Sequence, residues 1–546
     1  MYCSWVVLVP PLLVIALAAL TKRVLFSLFM GITSASLIVH NFELMNAVHY
    51  IGARIVLTTQ VASLSSWQGV LAASNLYIIL FLLLLGVLIS MIRHSGAAYA
   101  YGKMVMAKIK TAAGAERASL LLSKIFFIDD YFSGITVGSV MQPITDQYAV
   151  PRVKLALLVN AVAAPIAIVV PLSSWIAELI GQFRNSGVSF GQQATVINAD
   201  PYALYLSAIP FMIYALVTVL TVWYMVTTRV SFGLVARHER YAEKTGELFG
   251  GKIPVVRRMT DVSAHRQKSS KIIDFIFPIV LLFVSVIGIT LWTGDWWCLG
   301  GQNDLLTALQ QAKLFLSFFC GALGTVIATM VYYLGRERVT FAELPLFIRE
   351  GIILMGGSLV MLVLIWTLSG IIRDDLKTGQ FLADILIGRV TEAFIPLMFF
   401  VLAAVISTLI ATAWGTLGIL IPMAMSMVPT YLGLALPIDA SHVPLLSALL
   451  GAIICGSLVG MHMSPVADVM VMSAASAGSY HLDLVRAQIQ LAIPTVIASC
   501  LGFVVVGLTL ATYGSSMSAL MGVGSALGCN IIFITIIRCI ERWRSK

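Results

Sequence analysis

The sequence predicts an all-α polytopic membrane protein built as an inverted repeat, with about eleven transmembrane helices, two re-entrant hairpins and broken helices. Three observations predict it. The first is composition: of 546 residues, 59% are hydrophobic and 11% charged, from 34 Lys plus Arg and 25 Asp plus Glu. Soluble chains carry charge at about a quarter of their positions, so a water-soluble enzyme of this size is excluded for want of polar surface. The second is the recurrence of apolar runs long enough to cross ~30 Å of hydrocarbon. The third is that the two most polar interruptions of such runs fall at corresponding places in the two halves of the chain.

In order, uninterrupted apolar runs occupy residues 5–21, 24–39, 76–92, 153–178, 203–227, 272–292, 313–334, 351–372, 444–478, 491–512 and 517–537. The first lacks a basic leader and an AxA-type site, so it is expected to be a retained helix and not a cleaved signal. Residues 119–147 carry Asp129-Asp130 at their centre, and residues 394–428 carry Thr412-Ala413-Trp414-Gly415-Thr416. Each arm is too short to cross comfortably and each centre is polar or glycine-rich. Both are therefore expected to be re-entrant hairpins, whose tips are tolerated only where protein or water surrounds them. The chain then divides into a first repeat over 1–228 (hairpin 119–147, broken helix 153–178) and a basic linker over 229–271. A second repeat follows over 272–516 (hairpin 394–428, broken helix 444–478), with an extra helix and basic tail over 517–546. Amphipathic stretches at 93–118 and 373–393 suit interfacial arms.

Charge orients this layout. With the N-terminus external and each hairpin returning to its own side, 27 of the 34 Lys and Arg fall in cytoplasmic segments. Six fall outside and Lys124 lies in the first hairpin. This is the positive-inside pattern. It places the C-terminus in the cytoplasm and accounts for the net charge of +9 without a nucleic-acid partner. The seven Cys stand singly with no CxxC pair, and read as small apolar residues.

In the two long helices, Ala164 through Ser174 can be laid beside Ser464 through Ala474, pairing Pro165 with Pro465, Ala167 with Ala467 and Ser173 with Ser473. A proline inside a span removes a backbone hydrogen bond and breaks or kinks the helix. The freed carbonyls and half-helix ends are the parts from which transporter ion sites are made, and the plainer alternative is a kinked, inert helix. An acid at membrane depth costs at least ~2.5 kcal/mol unless it faces water, an ion or a partner. That singles out Asp129, Asp130 and Asp468 as functional candidates, with a transported sodium one candidate occupant. Adjacent carboxylates repel, so Asp129-Asp130 is expected to hold a proton or bind a hard cation, and competition between the two is the core of cation/proton exchange. The plainer reading is that one of them caps the second hairpin arm. His462 serves equally as a hydrogen-bonded structural residue or a proton carrier. Ser133, Asn160, Ser173, Ser174, Thr412, Thr416, Ser464 and Ser473 offer neutral polar groups at the same places, and Trp414 completes the set; Ser and Thr also pack commonly between membrane helices. Asp146, Glu178 and Asp274 are expected to be interfacial. No HExxH, GxSxG, Walker A or GxGxxG motif sits at a suitable junction, so neither an enzyme nor a cofactor is expected.

The run Asp129-Asp130-Tyr131-Phe132-Ser133-Gly134 through Asp146, with Lys154-Leu155-Ala156 and Pro165 through Trp175, resembles one signature of the NhaC-type sodium/proton antiporter family. Thr412 through Thr416, Gly456 through Asp468 and His481 through Gln488 resemble the other. The resemblance covers residues 60 to 510 and implies a bacterial inner-membrane exchanger of the wider ion-transporter superfamily, working on a monovalent cation and protons. A homodimer is an open expectation. The sequence departs from the family pattern, which usually has Asp at Asn160 followed by Ser-Thr at Ala161-Val162. It also usually has Asp at Met461, Ser at Ala467 and Thr-Thr at Val469-Met470. Fewer fixed negative charges weaken a cation site, so the alternative is a proton- or sodium-coupled transporter of an organic acid or amino acid on the same fold.

Overall fold

The structure is a computed structural model that describes residues 5–21, 23–61, 74–97, 100, 109–171, 173–189, 195–253, 270–303, 308, 312–465 and 467–544. Parts of the expected arm at 93–118 and of the linker at 229–271 lie outside these residues. The chain opens with α1 (Val9–Thr21), α2 (Val24–Val39), α3 (Leu44–Thr59) and α4 (Ser74–His94). There follow α5 (Ala112–Ile125), α6 (Asp130–Gln147), α7 (Arg152–Val169) and α8 (Ser174–Asn185). Two short strands, β1 (Val188–Ser189) and β2 (Ile197–Asn198), lead to α9 (Pro201–Ala208), α10 (Ile213–Thr228) and α11 (Gly233–Thr245). Next come α12 (Ile272–Thr293), α13 (Leu314–Gly335), α14 (Leu344–Gly370), α15 (Thr378–Leu386), α16 (Ile395–Ile410) and α17 (Ala413–Tyr431). Strand β3 (Ile438–Asp439), α18 (Pro444–Met463), α19 (Asp468–Ser476) and α20 (His481–Arg544) complete it.

Among the described residues, ten helical stretches are long and apolar enough to cross a membrane, and 5–18 and 24–39 are shorter apolar helices. Three expectations need correction. The run 203–227 is not one helix, because Pro210, which has no N–H to donate, stands in a 3-10 turn between α9 and α10. Helix α3 was not anticipated, because Arg54, His49 and Asn46 lower its hydropathy below that of a span. The first hairpin starts at Ala112, where the Thr111 side chain caps α5 by accepting from the Gly114 N–H at 3.0 Å. The runs 491–512 and 517–537 do occur as separate helices within α20, parted at Gly514, whose φ of 73° suits a residue without Cβ.

The chain forms two compact units. One holds residues 52–108 and 258–363, with α13 packed on both α4 and α12. Here Asp274, expected at an interface, is wholly buried, forms an ion pair with Arg336 at 3.0 Å, and accepts from Arg338 Nε at 3.0 Å and from the Tyr332 hydroxyl at 2.9 Å.

The other unit holds residues 1–51, 109–257 and 364–546, and contains both hairpins and both broken helices. The hairpins are α5–α6, turning through 126–129, and α16–α17, turning at Ala411 and Thr412. The broken helices are α7–α8, with a gap at 170–173, and α18–α19, with a gap at 464–467. The expected pairing of Pro165 with Pro465 is therefore wrong. Pro165 is buried inside α7, and Pro171 is the proline in the gap. The cause is steric: a residue before proline is pushed out of the helical region. Val170 (φ −81°, ψ 121°) and Ser464 (φ −83°, ψ 127°) both show it. Aligned by their gaps, Pro171 matches Pro465 and Ser174 matches Asp468, while Ser473 lies within α19.

The two broken helices run antiparallel. At one end Arg152, opening α7, donates to the Ala477 carbonyl just past α19 at 3.2 Å. At the other, β1, β2 and β3 pair in parallel and join the end of α8 to the approach to α18. Between these ends the Asn160 amide meets Met470 Sδ at 3.8 Å. The hairpins enter from opposite ends. Glu116 near the start of α5 pairs with Lys154 near the start of α7 at 2.9 Å. Helix α16 instead runs beside α18, so close that a Cβ on Gly456 would lie 2.5 Å from the Phe400 carbonyl. Opposed entry on antiparallel broken helices is the inverted repeat, written in contacts.

Candidate ion-binding site

Four helices of this unit, α6, α8, α17 and α19, begin at the two hairpin tips and the two gaps. At the first tip Asp129 and Asp130 are 3% and 2% exposed. Ser174, the first residue after the first gap, is tied to this tip twice. Its N–H donates to the Ile128 carbonyl at 2.8 Å and its hydroxyl to Asp129 Oδ2 at 2.9 Å. The next residue, Trp175, stacks at 4.4 Å on Trp414 in the first turn of α17. Helix α19 packs on α6 where glycines leave room: the Ser476 hydroxyl donates to the Gly134 carbonyl at 2.7 Å, and Ser473 lies over the same glycine.

The sequence candidates distribute as follows. Asp129, Asp130, Ser133, Ser173 and Ser174 share the first tip and gap. Ser473 faces them from α19, and Asn160 approaches through Met470. Ser464 and His462 are buried at the second gap, where His462 Nδ1 lies 2.8 Å from the Tyr214 hydroxyl. Asp468, opening α19, is exposed. Thr412 is half-buried at the second tip, and Thr416 is turned away, its hydroxyl donating to the Thr412 carbonyl at 3.2 Å.

Among the buried atoms, Asp130 Oδ2, Ser133 Oγ, Asn160 Oδ1, Ser173 Oγ and Ser473 Oγ have no hydrogen-bond partner. Each such group costs about 1–3 kcal/mol, and native proteins seldom keep several together without a use for them. Among the described residues no group of three or more His, Cys, Asp or Glu is placed to hold a metal ion. Any cation seated here draws on hydroxyl, amide and carboxylate oxygens together, which suits a hard ion.

Three residues were missed by the sequence reading. Glu178, expected at an interface, is 5% exposed and within electrostatic reach of Asp129 and Asp130. Tyr131 lies within reach of Asp129, Asp130, Glu178 and Asp468. Trp175 joins the two tips. The signal for Glu178 was the gap: counted from Pro171 instead of Pro165, it stands one turn past Ser174 on the same face of α8. Asp146 is half-buried and paired with Arg152, Nε to Oδ1 at 2.7 Å.

A sequence profile described as the Na+/H+ antiporter family matches residues 166–508. An uncharacterized protein of Haemophilus influenzae is 29% identical over 513 residues, covering 92% of this chain and 91% of that one. Among solved structures, the YdaH transporter of Alcanivorax borkumensis shares the fold with a TM-score of 0.51 at 15% identity, over 88% of this chain and 89% of that one.

Proposed function

Because this chain belongs to the Na+/H+ antiporter family and is a multi-pass secondary transporter, we propose that it exchanges sodium, or another monovalent cation, for protons by alternating access. The observation that carries this reading is the set of buried, unpartnered polar atoms around Asp129 and Asp130. Two adjacent buried carboxylates cannot both stay charged without compensation. Either a proton or a cation supplies it, and each displaces the other. Ser133, Ser173, Ser174 and Ser473, with Asn160, provide neutral oxygens for a dehydrated cation, and Asp468 stands exposed at the second gap. The positive-inside split supports an inner-membrane orientation with the N-terminus external and the C-terminus cytoplasmic.

The test is transport in proteoliposomes under sodium and pH gradients imposed separately. Asp129→Asn and Asp130→Asn each retain the fold, since a neutral amide is cheaper to bury than a carboxylate, and at least one abolishes sodium-driven proton movement. Wild-type exchange in both single mutants and the double mutant, at several pH values, refutes the proposal. So does a wild-type protein that ignores sodium yet takes up malate, lactate or an amino acid.

A further inference from the structure

The first turn of α8 touches both hairpins. Ser174 binds the first tip through a backbone N–H and a hydroxyl, the latter on a carboxylate expected to change its occupancy during transport. Trp175, 1% exposed, carries that position to the second tip, where its ring meets Trp414 at 4.4 Å with the planes inclined by 35°. The second tip is poised to respond. Ala411 turns the chain with φ of 67°, a left-handed conformation that strains any residue bearing a Cβ. Thr412, at the N-cap of α17, makes no side-chain capping bond. Trp414 itself is only half-buried, so one side of the stack is rigid and the other has room to move.

We propose that Ser174–Trp175 is the link that transmits the occupancy of Asp129 to the second hairpin, with the Trp175–Trp414 stack as the transmitting contact, so that the two tips respond together. A charged Asp129 accepts from the Ser174 hydroxyl. A protonated Asp129, or one holding a cation, offers that hydroxyl a different partner geometry, and Ser174 readjusts. Because Ser174 and Trp175 are consecutive in a helix, a shift at one is a shift at the other. The close-packed surroundings of Trp175 pass it on without slack. Trp175 is then a positioning residue: it holds no ion, and it governs whether the second tip follows the first.

This inference rests on the cation/proton reading, and the experiment separates the two. Wild-type protein in vesicles is assayed for sodium flux and proton flux together, and its tryptophan emission is followed as sodium is added. If wild type does not exchange sodium for protons, the functional reading fails. With exchange established, Trp414→Ala raises sodium leak unaccompanied by protons by roughly two- to tenfold, the range expected from losing one aromatic pair. Trp414→Phe, which keeps a ring against Trp175 and leaves the Trp175 indole bonded to Asp130, retains tight coupling. The sodium-dependent emission change of the wild type disappears in Trp414→Phe, which removes the reporter while keeping a ring. It also disappears in Asp129→Asn, which keeps both indoles. A Trp414→Ala protein that folds and exchanges with the wild-type proton-to-sodium ratio overturns the link. So does an emission change that persists undiminished in Trp414→Phe, a readout available even where the alanine variant fails to fold.

Discussion

Replacing Lys154 by Met probes how the first broken helix is anchored. Lys154 stands in the first turn of α7 and is buried, its side chain 4% exposed, between Glu116 of α5 at 2.9 Å and Glu239 of α11. Glu116 is 1% exposed and also meets Arg229, which follows α10 and is 43% exposed. One ammonium thus joins the first hairpin, the broken helix and the segment after α10. Breaking a buried pair by removing one member typically costs 3–5 kcal/mol, because the other charge is stranded. Arg229 still holds Glu116, so the lower end, about 3 kcal/mol, applies. Unfolding of a protein like this is read as a lifetime, and ~3 kcal/mol on the unfolding barrier shortens it by as much as roughly 150-fold. The assay is the decay of the monodisperse peak in detergent at a fixed elevated temperature. Glu239→Gln, at a partly exposed position, costs no more than ~1 kcal/mol. Lys154→Met combined with Glu116→Leu recovers most of the lifetime, since apolar side chains of similar volume replace a buried pair well. A Lys154→Met protein as long-lived as wild type refutes the reasoning, as does a double mutant no better than the single.

Two further predictions concern topology and charge. Single cysteines at Gln142 and Gly246 are labelled from the cytoplasm alone and one at Asp439 from outside alone; labelling of Gln142 and Asp439 from the same side removes the opposed hairpins. Asn160→Asp adds a carboxylate beside Met470, where a unit charge at ~4 Å and an effective dielectric near 20 acts with ~4 kcal/mol. Apparent sodium affinity, read from sodium-dependent proton flux, therefore rises by at least roughly tenfold, and an unchanged affinity with lost uptake of an anionic substrate identifies the organic-acid alternative.

The hairpins were legible because a tip that cannot cross must be polar or glycine-rich, and Asp129-Asp130 and Thr412–Thr416 interrupt apolar runs too sharply for anything else. The gaps were legible in kind but misplaced in the first repeat. Pro165 and Pro171 are both candidates to a reader of sequence, and only the backbone shows that Val170 is the residue driven out of the helix while Ala164 stays in it. That six-residue error hid Glu178, moved Ser473 to the wrong partner and left Trp175 without a role. Helix α3 escaped for a different reason: hydropathy detects burial in lipid, and a helix with Arg54, His49 and Asn46 among its apolar residues falls beneath that signal. Asp274 looked interfacial because its partners Arg336 and Arg338 lie some sixty residues away, a distance no local pattern bridges.

The four helices that begin at the hairpin tips and the gaps have a consequence for the field around Asp129 and Asp130. Each N-terminus carries roughly half a positive charge, and it belongs to the backbone, so no substitution of a side chain removes it. On the function proposed above, the field there has a permanent part, laid down by topology, and an adjustable part, set by the side chains at positions such as 129, 130 and 160. With a neutral Asn160, the adjustable part is less negative than with an acid there, while the scaffold that receives it is the same. On that same proposal, exchanging one or two of these residues shifts cation affinity while the helix ends stay as they are.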